Sequence, residues 1–149
     1  MEPVQTVDVT DTVILVAIEL SKLNWLLAVY DSIAGKVSRR RVDGGDAEAL
    51  IGVLERARRD ARERSRASAN VEIECVFEAG YDGFWLQRRL AQAGIPCRVM
   101  DPASLKVDRR ARRVKTDRVD AESLLRALQA WRLGDRQACT FIRVPCIEE

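Results

Sequence analysis

The chain has 149 residues, 47% of them apolar and 32% charged, a composition that suits one globular domain with its own core. Its formal net charge of +2 is too small to name a partner. It contains no histidine, which excludes a serine–histidine triad and leaves carboxylates to carry any acid–base or metal chemistry. "TVILVAIEL" (Thr12–Leu20) is a short, β-branched apolar run and reads as a buried strand. "NWLLAVYD" (Asn24–Asp31) reads as a second strand and "GKVSRRRVD" (Gly35–Asp43) as a third, more polar one. The short links predict an antiparallel meander. Asp46 opens "DAEALIGVLERARRDARERSR", where Leu50, Val53, Leu54 and Ala57 recur at helical spacing and the later, charged turns are expected to project into solvent. In "NVEIECVFEAG", Val71, Ile73, Cys75 and Phe77 alternate with Glu72 and Glu74, a half-buried strand ending at Glu78. After Gly80 and Gly83, "FWLQRRLAQAG" is an amphipathic helix stopped by Gly94. "IPCRVMD" is another short strand, closed by Asp101-Pro102. A basic segment follows, then a helix from about Arg118 to Trp131 with Leu124, Leu125 and Leu128 on one face. The tail "RLGDRQACTFIRVPCIEE" has no clear period.

The order is βββαβαβα. It predicts an α/β fold with a mixed five-stranded sheet and helices on both faces. Of the four cysteines, Cys75 and Cys97 lie in apolar runs and Cys139 and Cys146 in the tail. No CxxC pair exists, so reduced, mostly buried thiols are expected rather than a zinc site. No apolar run reaches membrane-spanning length, and the polar, acidic start is unlike a signal peptide; a cytoplasmic location is the expectation.

In open α/β sheets, ligands collect beyond the carboxyl ends of the strands. Glu19, Glu78 and Asp101 occupy such ends, and Asp117 and Asp120 open the last helix three residues apart. Carboxylates that converge repel unless a cation or proton intervenes, and magnesium suits oxygen ligands. Each acid also has a plainer reading. Glu19 and Glu78 can turn to solvent, Asp101 can be a turn residue, and Asp117 and Asp120 fit an N-cap and a first-turn acid favoured by the helix dipole. Around the first aspartate stand seven basic residues, Lys106, Arg109, Arg110, Arg112, Arg113 and Lys115 before Asp117 and Arg118 directly after it. They are either a solvated face or a grip on a phosphate backbone.

"VAIELSKLNWLLAV", "FEAGYDGFWLQRRLAQAGIPCRVMDP" and "RRVKTDRVDAESLLRAL", in that order, resemble the N-terminal DEDD domain of transposases of insertion sequence family 110. That domain is RuvC-like, with the ribonuclease H fold. The resemblance covers roughly Val13 to Leu133 and implies three regions. Residues 1–11 are expected to be poorly ordered, 12–133 to form the RuvC-like domain, and 134–149 to lead toward a C-terminal domain absent from this chain. The resemblance also implies that Glu19, Glu78, Asp117 and Asp120 are the catalytic, metal-binding acids, holding Mg2+ or Mn2+. It implies DNA transposition and recombination, a guide (bridge) RNA as a further partner, and a homo-oligomer in the full-length protein. Glu19 stands where the family pattern usually has aspartate, and its extra methylene moves the carboxylate by about 1.5 Å. Two alternatives stand beside this reading. One is a nucleic-acid-binding module whose metal site Glu19 has weakened. The other is a sugar-kinase or actin type ATPase, disfavoured because "IELSKLNW" has no glycine turn for phosphates.

Overall fold

The computed structural model describes residues 12–65, 71–80, 84–105 and 119–145. The first strand, β1 (Val13–Glu19), is buried from Ile14 to Ile18 on both of its faces. That suits the apolar run from Val13 to Ile18, rich in β-branched residues, because only a central strand is covered on two sides. β2 (Asn24–Asp31) runs antiparallel to β1, and β3 (Lys36–Asp43) antiparallel to β2. The β2–β3 turn is closed by Asp31, whose Oδ1 accepts from the Ile33 and Ala34 N–H groups at 2.9 and 3.3 Å. Gly35 completes it at φ 64°, a left-handed conformation that suits glycine.

α1 (Ala47–Arg64) follows, capped by Asp46, whose Oδ1 accepts from the Ala49 N–H at 2.9 Å. β4 (Glu72–Glu78) pairs parallel to β1, and β5 (Cys97–Met100) parallel to β4. Between them lies α2 (Trp85–Gln92). α3 (Ala121–Arg132) comes last among the helices, and β6 (Phe141–Ile142) pairs antiparallel to β5. The strand order is β3-β2-β1-β4-β5-β6. An antiparallel meander continued by parallel strands beside its first member is the ribonuclease H-like arrangement, and the fold is of that α/β class.

Strand alternation divides the core in two. Ile14, Val16, Ile18, Trp25, Leu27, Ile73, Cys75 and Phe77 pack under α1 and α2, with Leu50, Leu54, Leu86 and Leu90. Leu15, Ala17, Ala28 and Val76 pack under α3, with Leu124, Leu125 and Leu128. Truncating one of these buried leucines to alanine would cost roughly 2–5 kcal/mol.

Three sequence expectations change. Among the described residues the sheet has six strands rather than five. β6 lies in the tail and is only two residues long, too short to show an alternation. The Trp131–Phe141 edge-to-face contact at 4.9 Å and buried Cys139 fasten it. α3 begins at Ala121 rather than Arg118, because Asp120 takes the N-cap and its Oδ1 accepts from the Ser123 N–H at 2.7 Å. The late turns of α1 do not leave the sheet: Ala61 is fully buried and Arg64 pairs with Asp31 at the end of β2. Among the described residues, no helix is long and apolar enough to cross a membrane.

Candidate active site

The period-two rule places the acids. Leu15 and Ala17 of β1 face α3, so Glu19 faces the same way. Val76 of β4 also faces α3, so Glu78 does too. Ile18 pairs with Phe77 in the parallel register, and the next residues along, Glu19 and Glu78, therefore end neighbouring strands side by side. Both line one cleft of about 170 Å³, with Gly80 and Val119 on its wall. This is the carboxyl end of the two central parallel strands, where ligands of open α/β sheets bind.

Val119 connects the cleft to α3. Its backbone N–H donates to Glu78 Oε2 at 3.0 Å. Asp120, the next residue, caps α3 and lines a second cleft of about 320 Å³ that also contains Glu19, Leu26, Arg39 and Glu122. Glu19 thus borders both Glu78 and the start of α3. Of the four acids singled out in the sequence, Glu19 and Glu78 share a cleft and Asp120 shares the adjoining one with Glu19. Asp117 lies outside the described residues. Among the described residues, no group of three or more His, Cys, Asp or Glu is arranged to hold a metal ion. Asp120 is an N-cap rather than a first-turn acid; that place belongs to Glu122.

Asp101 takes its plainer role. Its Oδ1 accepts from the Ala103 N–H at 3.0 Å, capping the 3-10 turn Pro102–Ser104. Lys106, Arg109, Arg110, Arg112, Arg113, Lys115 and Arg118 all lie outside the described residues. The buried thiols are not candidates for a ligand set. Burial pushes Cys75 and Cys97 well above the usual thiol range, with Glu74 adding to both, so they stay protonated on the α1 and α2 side of the sheet.

Glu74 is the acid that sequence reasoning misplaced. Grouped with Glu72, it reads as a solvated residue of a half-buried strand. It is 9% exposed and pairs with both Arg98 and Arg132. Its place on the same strand face as Val76 and Glu78 was a usable signal, since α3 covers that face. Arg39 was also passed over. It sits on the edge strand, yet it pairs with Glu122 at the start of α3 and lines the cleft that holds Glu19.

No protein-family model matches the chain. Over 138 residues, 91% of its length, it is 40% identical to y4rJ, a protein of Sinorhizobium fredii provisionally described as a transposase, and it covers 34% of that protein. Over 64 residues, 42% of its length, it is 39% identical to the transposase for insertion sequence element IS1533 of Leptospira borgpetersenii, covering 18% of it. The chain therefore spans about a third or less of the curated relatives it matches. Among solved structures, T. thermophilus RuvC in complex with Holliday junction substrate matches with a TM-score of 0.42 and 12% identity, over 87% of this chain and 99% of that one. The similarity to insertion-sequence transposases read from the three motifs is borne out by the two relatives.

Proposed function

We propose, with the similarity to transposases as premise, that this chain is the catalytic-half domain of a DNA transposase or recombinase. It would bind DNA and support magnesium-dependent strand cleavage and transfer as part of a longer protein. The observation that carries the reading is the pair Glu19 and Glu78, side by side in one cleft at the carboxyl ends of β1 and β4. Strand ends inside a sheet are rigid, which suits a site that must hold reacting groups within a fraction of an ångström.

The donor set fits a hard divalent cation. Glu19 and Glu78 offer carboxylate oxygens from adjacent strands, and the Glu78–Val119 hydrogen bond holds the start of α3 against them. Asp120 caps α3 through Oδ1, and a carboxylate has two oxygens, so capping does not exhaust it. Asp117 would complete the set. Magnesium or manganese bound there would supply Lewis acidity to phosphodiester oxygens. The chain's own residues orient: Glu19 and Glu78 from the sheet, Asp120 from the helix start. The same resemblance would bring a bridge RNA and a homo-oligomer to the full-length protein.

One observation favours a second reading, a nucleic-acid-binding module with a weakened metal site. Glu78 and Asp120 each accept a backbone N–H, which gives both a structural task in the absence of metal. A calorimetric titration with manganese and then magnesium separates the two. The comparison is wild type against Asp117→Asn/Asp120→Asn, since asparagine caps a helix as well as aspartate does. Binding by the wild type that the double variant loses supports the catalytic reading. Binding that persists sinks the site assignment. A large gain in affinity from Glu19→Asp moves the binding-module reading ahead.

A further inference from the structure

Sheet register carries the site sideways, toward β3. Glu19 pairs with Leu26, and Leu26 with Arg41, so the three form one row across β1, β2 and β3. In the row two residues deeper, Ala17 pairs with Ala28 and Ala28 with Arg39. Ala17 and Ala28 lie in the core under α3, so Arg39 and Arg41 emerge on the α3 face, the face of the two central glutamates. α3 reaches Arg39 through Glu122 and leaves it exposed. Leu26 is 41% exposed, and Arg39, Arg40 and Arg41 are all exposed.

The bland account is that charges on an edge strand discourage sheet-to-sheet pairing. That account applies to any charge on either face. It does not explain a cleft of about 320 Å³ running from Arg39 and Leu26 to Glu19 and Asp120. A site built from carboxylates repels a polyanion and needs cations nearby. Two strand spacings separate Glu19 from Arg41, about 10 Å, which is about one Debye length at 0.1 M salt. Glu122 holds the Arg39 guanidinium in an exposed ion pair, an interaction weak enough for a phosphate to replace. The planar guanidinium fork suits phosphate oxygens, and exposed Leu26 offers an apolar surface to a sugar.

We infer that the β3 edge is a DNA-backbone grip, with phosphates on Arg39 and Arg41 and the strand led over Leu26 toward Glu19 and Glu78. This rests on the proposed function and adds binding residues to it, apart from the basic segment before Asp117.

The test is fluorescence anisotropy with the full chain and a labelled mixed-sequence DNA duplex over a range of salt concentrations. Arg39→Ala/Arg41→Ala is expected to weaken binding on the order of 10-fold at low salt and to reduce the slope of log affinity against log salt by about 2. Arg59→Ala/Arg62→Ala removes the same charge from exposed positions on α1, on the opposite side of the sheet, and is expected to change affinity by less than about twofold. Glu122→Gln releases Arg39 and should tighten binding. If the wild type binds no duplex at low salt, the transposase-domain reading fails and the grip falls with it. If the wild type binds and both arginine pairs weaken it equally, or neither does, the grip alone is overturned. Binding of an RNA duplex of the same sequence in place of DNA also overturns it.

Discussion

Glu74 and Glu78 lie on one strand and one face, four residues apart with Val76 between them, and have opposite surroundings. At the entry of β4, Glu74 is enclosed by Arg98 from β5 and Arg132 from the end of α3. The Arg98 guanidinium also sits 4.5 Å from the Trp131 ring centroid, so this end of the face is a closed network of charge and aromatic surface. At the exit, Glu78 meets the backbone of Val119 and the side of Glu19. The same side chain is neutralised at one end and set beside another acid at the other. Glu74 has its counter-charges built into the fold, whereas Glu78 stands beside a second carboxylate, an arrangement that a bound cation would stabilise.

Breaking the closed end should have the largest effect on stability. Glu74→Ala leaves two arginines facing each other across a covered site. Because Arg98 and Arg132 remain partly exposed, the loss is expected to be roughly 2 kcal/mol, below that of a fully buried pair. A urea titration with a loss below about 0.5 kcal/mol would remove the contrast between the two ends, since that is the scale of an ordinary surface substitution. Asp120→Ala comes next, at about 1 kcal/mol from the lost cap, while Asp120→Asn should cost only a few tenths. Equal losses in the two variants would show that the charge of Asp120, rather than its capping bond, stabilises α3. Glu78→Gln should have the smallest effect, within about 0.5 kcal/mol, because the amide oxygen still accepts from Val119. The same variant should abolish manganese binding in the calorimeter. A stable fold without metal binding sharpens the comparison; a strongly destabilised Glu78→Gln would mark both glutamates as structural.

Much of the fold was readable along the chain because its signals are local. β1 announces itself by a β-branched apolar run, β2 by a run of large apolar residues, and α1 by an aspartate cap and a helical leucine period. Positions of Glu19 and Glu78 at strand ends follow from the same alternation. β6 was not readable. Two residues carry no period, and its order depends on Trp131 and Phe141 meeting across a turn. The start of α3 was misread by three residues because two aspartates offered equivalent caps.

What the sequence determined by itself was the succession of elements and the face on which each side chain emerges, since a pleat and a helical turn are set by neighbours in the chain. Only the tertiary structure decided which acids are satisfied. Glu74 meets an arginine 58 residues away and Glu78 a backbone amide 41 residues away. Arg39 reaches across 83 residues to Glu122. Such partners are chosen by how the sheet is ordered and where α3 packs on it, and no local pattern encodes that choice.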